Sequence, residues 1–241
     1  MKFLLDIWGG LVKFFTKIGD SFYYSIIYDN RYMYILKGLL NTIIISLFAV
    51  LIGIILGLLI SIIRNYHEKT GRLKFLSKLA GLYVNVIRGT PSMLQLMIIY
   101  YVIFKSVDIN IVLVGIIAFG LNSAAYVSEI IRGGINSISQ GQEDASYSLG
   151  LNYWQTFKYI ILPQTLKSVL PALGNEFITL LKDTSIGAYI GIVELTKASD
   201  IIASRTYDYF FPLIIIALIY LVMTLGLSKL IHKLERKYKN A

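Results

Sequence analysis

The side chains in this sequence with chemistry to offer lie where water is scarce. Thr90, Gln95, Asn122, Ser123, Tyr126, Glu129, Glu176, Lys182 and Asp183, with Arg88 beside them, fall within or at the edges of long apolar runs. Ionisable groups in such runs are costly in lipid, so they face protein, solute or a water-filled path. Asn122 and Ser123 lie near the middle of one run, Lys182 and Asp183 near the middle of another. Thr90 and Gln95 flank a break at Arg88-Gly89-Thr90-Pro91 in a third. Three segments therefore bring acid, base, amide and hydroxyl groups to one depth, where transporter sites form at interrupted helices. That set suits a small solute bearing an ammonium and a carboxylate. Asp183 or Glu129 would meet the ammonium. Lys182, or amides loosened at Gly89 and Pro91, would meet the carboxylate.

Packing roles compete with this reading. Lys182 and Asp183 are adjacent, so on a helix they point about 100° apart and need not pair with each other. Either can instead bind Glu176 or Arg132. Glu129 and Arg132 are three apart and can pair along one helix face. The Arg88–Pro91 break can be a simple kink that frees one carbonyl.

Several chemistries are excluded or disfavoured. There is no Cys, hence neither a disulfide nor a thiolate metal site. The two histidines, His67 and His232, sit among basic residues and make a poor metal pair. No Gly-x-x-x-x-Gly-Lys-[Ser/Thr] occurs, so ATP chemistry needs another chain. No nucleophile–base pair stands out, which argues against an intramembrane enzyme. The net charge of +9 comes mostly from basic residues beside apolar spans, where they face anionic lipid rather than nucleic acid.

The elements that position these groups are membrane helices. Of the 241 residues, 56% are hydrophobic and only 15% charged, too few to cover a water-facing globule. Four stretches reach the roughly 20 apolar residues a span needs. They run from about Leu39 to Ile63, Leu79 to Phe104, Ile109 to Ile135 and Phe210 to Ile231. A fifth, Leu170 to Val193, carries Asn175, Glu176, Lys182 and Asp183, whose polar groups would face protein. Arg64, Lys69, Arg72, Lys74 and Lys78 follow the first span, and Lys233, Arg236, Lys237 and Lys239 follow the last. Both clusters belong in the cytoplasm. Five spans then place the N-terminus outside and the C-terminus in the cytoplasm. Residues 1–36 read as an amphipathic segment on the outer membrane surface, with a sixth span and a signal peptide as weaker readings.

The longest polar stretch, Asn136 to about Ser168, falls on the cytoplasmic side. Glu143 and Asp144 suit the first turn of a short helix. Ala145 and Leu149 share a face, and Gly150 can take the left-handed conformation that ends a helix. A second helix is expected from about Tyr153, with Trp154, Phe157, Ile160 and Ile161 as apolar positions and Pro163 at its end. Two short helices at a fixed angle make a rigid knob.

This loop resembles the Glu-Ala-Ala loop of ABC importer permeases. Glu143, Ala145, Gly150, Ile160, Leu162 and Pro163 fall in register, and Asp144 is the one departure. Arg88-Gly89-Thr90-Pro91 with Gln95, Leu121 to Tyr126 with Glu129 and Arg132, and Leu173 to Ser185 resemble the polar amino-acid permeases of the histidine/glutamine type. The resemblance covers about Leu39 to Ile231. It implies an all-α integral membrane protein of the type I ABC importer permease fold, with residues 37–232 as the transmembrane domain and 233–241 as a basic cytoplasmic tail. It further implies a dimeric cytoplasmic ATPase that binds ATP and Mg²⁺, docked on Glu143, Asp144, Ala145, Leu149, Gly150, Ile160, Leu162 and Pro163. A second permease chain, identical or related, and an extracellular or periplasmic binding protein complete the assembly in a bacterial cytoplasmic membrane. Gly53 and Gly57 offer a small-xxx-small face for close packing in it. The chief rival is a carrier driven by an ion gradient, which would explain the midplane charges but not the loop. A non-transporting membrane subunit would explain the loop but not the polar midplane.

Overall fold

The computed structural model describes residues 10, 13 and 15–239, with side chains to residue 236. Residues 15–22 form a largely exposed helix, α1, followed by a π turn over Tyr23–Ile27 and a 3-10 turn over Tyr28–Asn30. Of the apolar positions expected in an N-terminal surface helix, Phe3, Leu4, Leu5, Ile7, Trp8, Leu11, Val12 and Phe14 lie outside the described residues.

Helix α2, Tyr32–Thr70, has 39 residues and overruns the expected first span at both ends. At 1.5 Å per residue it is about 58 Å long, nearly twice the apolar thickness of a bilayer. Gly71, at φ +69°, ends it and returns its N–H to the His67 carbonyl. The next stretch is broken as expected: α3 spans Lys74–Gly89 and α4 spans Ser92–Ile98, continued by a π turn over Ile99–Ile103. The break is a turn of 110° rather than a kink. Thr90 and Pro91 are both extended, and Pro91 has no N–H to carry the helix on.

Helix α5, Ile111–Asn136, is capped by Asn110, whose side chain accepts from the Val112 N–H at 2.8 Å. Helix α6, Gln140–Ser148, and helix α7, Tyr153–Thr156, form the loop knob. A π turn over Phe157–Ile161 then runs straight into α8, Leu162–Asp183. Pro163 therefore opens α8 instead of ending the second loop helix. Proline is tolerated in a first turn, where its absent N–H would have had no helical partner. A 3-10 turn over Thr184–Ile190, α9 over Leu195–Thr206 and α10 over Phe210–Lys239 complete the chain.

Among the described residues three helices, α2, α5 and α10, are long and apolar enough to cross a membrane, and the bent α3–α4 pair would make four. Helix α8 falls short on composition because it carries Asn175, Glu176, Lys182 and Asp183. It packs against α2, α5 and α10; Glu176 and Asp183 are partly buried there, whereas Asn175 and Lys182, expected to face protein, are exposed.

The core is built around α2 and α5. A Cβ on Gly53 would stand 2.7 Å from the Ser123 hydroxyl, and one on Gly57 2.7 Å from Val127 Cγ1. The small-residue face expected to serve assembly is thus consumed inside the chain, where it seats α5 in parallel contact. Ile45, Phe119, Leu180 and Ile192 fill the cluster beside it.

The N-terminal part of α2 holds the loop before α9. Asn41 donates to the Val193 carbonyl at 2.8 Å, and Gly38 lies against the Glu194 backbone. Glu194 is fully buried and caps α9 by accepting from the Thr196 and Lys197 N–H groups.

Candidate functional site

The 110° break supplies the first wall of the site. Pro91 cannot donate to the Ile87 carbonyl, and the Gln95 side chain does so instead at 2.8 Å. The same amide donates to the Thr90 carbonyl at 3.0 Å and the Thr90 hydroxyl at 2.7 Å. Its oxygen accepts from Asn122 at 2.8 Å, tying the break to α5. The carbonyl freed at the break is therefore satisfied by protein, and Gln95 acts as the brace behind the site.

Helices α5 and α8 supply the other walls. A cavity of about 270 Å³ lies between them and the break. Thr90, Pro91, Ser92, Asn122, Tyr126, Glu176, Thr179, Leu180 and Asp183 line it. Thr90, Asn122, Tyr126, Glu176 and Asp183 are thus brought together as the sequence suggested. Ser123 lies fully buried behind them and donates to Glu176 at 2.9 Å. Glu176 and Asp183 are seven residues apart, two turns of α8, and present two carboxylates about 10 Å apart along its axis.

Three expected residues lie elsewhere. Lys182 is exposed and does not line this cavity, because one residue of helical rotation turns it from Asp183. Glu129 sits one turn beyond Tyr126, away from the cavity. There it binds Arg64, accepts from Arg132 at 2.8 Å, and has Arg88 at 3.8 Å. Three guanidiniums saturate it, so it is not positioned as an ammonium partner. Arg88 also lies over the Tyr126 ring, 5.5 Å from its centroid.

Sequence reasoning missed Ser92 and Thr179, ordinary hydroxyl residues whose helical faces only the packing reveals. It also read Arg64 solely as an orientation charge. Its place immediately after the end of an apolar span was the available signal for a role in the Glu129 ion cluster.

The loop knob is a second built feature. Gly150 takes φ +83°, which lets the chain leave α6 in a tight turn. Asn152 then caps α7 in a reciprocal box with Gln155. Ser146 and Thr156 hydrogen-bond at 2.8 Å and lock the two helices together. The knob is fastened to the C-terminal end of α2: Lys69 pairs with Glu143, Tyr153 donates to Asn65 at 2.9 Å, and Tyr66 stacks on Trp154. Burial pushes the Tyr153 hydroxyl up from its ordinary pKa, so it stays a donor. Glu143 is buried against α2, whereas Asp144, Ala145, Leu149 and Gly150 face outward, with Leu149 82% exposed. Ile160 and Leu162 are half-buried at the junction with α8, and Pro163 is exposed.

Known proteins are similar to this chain in sequence and in overall fold. The chain is 40% identical to the arginine transport system permease protein of Bacillus subtilis over 209 residues, covering 86% of this chain and 93% of that one. It is 34% identical to the glutamine transport system permease protein of Escherichia coli K12, covering 85% and 93% of the two chains. A crystal structure of an amino acid ABC transporter with histidines superposes with a TM-score of 0.78 at 42% identity, over 85% of this chain and 94% of that one. Residues 53–240 match the binding-protein-dependent transport system inner membrane component, and the chain belongs to that family.

Proposed function

We propose that this chain is the permease subunit of an ATP-driven importer and that a polar amino acid crosses the membrane through the cavity at the α3–α4 break. Membership of the inner membrane component family and relatives in arginine and glutamine systems support the amino-acid permease reading. The observation that carries the site is the cavity itself. Hydroxyl, amide and carboxylate groups from three segments converge on a space of about 270 Å³. Glu176 and Asp183 provide two anionic positions, and no Lys or Arg lines the wall. One carboxylate suits the α-ammonium. In a cationic amino acid the second suits the side-chain charge, so arginine-like substrates fit better than acidic ones.

The ATPase is a separate chain that binds ATP and Mg²⁺. Its docking surface is the outward face of the knob, with Asp144, Ala145, Leu149 and Gly150 at the front and Ile160, Leu162 and Pro163 at the base. Fastening the knob to α2 supports this role, since a push on α6 is carried into the longest helix of the bundle. A second permease chain and an outer binding protein complete the importer. The loop charges support five passes through a bacterial cytoplasmic membrane, with the N-terminus outside and α8 as the polar pass. An ion-driven carrier has no use for such a knob.

The test is purification of the tagged chain from its bacterial host in mild detergent, with mass spectrometry of what accompanies it. A stoichiometric P-loop ATPase, and ATP-dependent uptake of labelled arginine or glutamine by the complex with its binding protein in proteoliposomes, are expected. A folded preparation with no ATPase would overturn the reading.

A further inference from the structure

The cavity holds two carboxylates and no cation, yet every amino acid brings a carboxylate of its own. The group that meets it must come from just outside the lining. Lys182 is turned away. Arg88 is not. It ends α3 immediately before the break, and its guanidinium lies over the ring of Tyr126, which lines the cavity.

Arg88 is also the least committed member of its cluster. Arg64, Arg88 and Arg132 share the single carboxylate of Glu129, and Glu68 adds only its field at Arg132. Arg64 and Arg132 hold Glu129 by direct hydrogen bonds. Arg88 stands 3.8 Å away and makes an ion pair without one. Its side chain is 45% exposed, against 19% for Arg64 and 32% for Arg132. A guanidinium has five N–H donors in a planar fork that matches a carboxylate with two bonds. Glu129 remains neutralised by two arginines if Arg88 leaves it.

We propose that Arg88 is the carboxylate-reading residue of the translocation site, held on Glu129 until a substrate carboxylate takes its place. This rests on the transport reading above. The exchange moves Arg88 across the face of Tyr126, so occupancy of the cavity loosens the contact between α3 and α5. A neutral or cationic solute without a carboxylate would leave that contact intact.

The experiment measures binding of labelled L-arginine and of agmatine, its decarboxylated counterpart, to the purified permease–ATPase complex by equilibrium dialysis. Wild type is expected to prefer arginine by about tenfold or more, the scale of one charge-assisted bidentate contact. Arg88→Gln should lose that preference by weakening arginine alone, with agmatine unchanged. Glu129→Gln, which releases Arg88 but leaves it in place, should keep the preference. Recovery of each variant with its ATPase in normal yield checks folding. A preference that survives Arg88→Gln overturns the assignment. So does an equal loss of both ligands, which would mean that Arg88 acts only by bracing Glu129. If the wild-type complex binds no amino acid at all, the transport reading itself fails, and this inference with it.

Discussion

Gln95 is the residue on which the geometry of the break depends most, and Gln95→Leu tests it. The change keeps a side chain of similar volume and removes one amide. Its two N–H groups, shared among the Ile87 carbonyl, the Thr90 carbonyl and the Thr90 hydroxyl, go with it, as does the bond accepted from Asn122. The Thr90 groups are exposed and regain partners from water in the cavity. The Ile87 carbonyl and the Asn122 amide are partly buried and do not fully do so. Side-chain hydrogen bonds within membrane proteins are worth about 0.6–1 kcal/mol each. Two such losses sum to about 1–2 kcal/mol, enough to shift the population of the ordered break by roughly 5- to 30-fold. The expected result is a lower melting temperature of the detergent-solubilised complex and a several-fold loss of ATP-dependent uptake, with membrane insertion unaltered. Gln95→Glu should be worse, because a carboxylate would face two carbonyls with nothing to donate. Normal uptake and melting in both variants would refute the idea that a side-chain brace replaces the helical bond Pro91 cannot make.

Two further outcomes follow from the fold. Gly150→Pro should abolish coupled transport while leaving the chain in the membrane, because proline fixes φ near −65° where the turn needs +83°; normal uptake in that variant would contradict the docking role of the knob. Gly57→Val should lower the melting temperature by prising α2 from α5, since even its Cβ would stand 2.7 Å from Val127 Cγ1; overpacking of this kind costs about 1–3 kcal/mol, and an unchanged melting curve would show that the α2–α5 contact is slack.

The knob and the cavity stand at opposite parts of one framework. Lys69, Asn65 and Tyr66 bind the knob to the C-terminal end of α2. Gly53 and Gly57, further along the same helix, seat α5, which carries Asn122 and Tyr126 into the cavity. Asn41 and Gly38, nearer its N-terminal end, hold the Val193–Glu194 loop. One helix of about 58 Å therefore touches the knob, α5 and the loop before α9. Rigid elements with several fastened ends are how a displacement at one site is felt at another.

The sequence by itself determined the membrane class, the helix content and the two-helix knob between α5 and α8. Those are local properties. Apolar run length reports a helix that can span a bilayer, and the Gly150 turn and Asn152 cap are encoded within a few residues of where they act. It also determined that polar groups of three segments lie at a common depth, since depth follows from counting along each run. Tertiary structure alone decided which of those groups share a space. Lys182 and Asp183 are neighbours in sequence, yet one faces outward and the other lines the cavity, because helical rotation is set by what α8 packs against. Glu129 could be read as a substrate acid until α2 and α3 brought Arg64 and Arg88 to it. The glycine pair in α2 promised close approach to some helix, and only packing identified it as α5 of the same chain. Facing, partner choice and saturation of charge are relations between segments, and no single segment's pattern contains them.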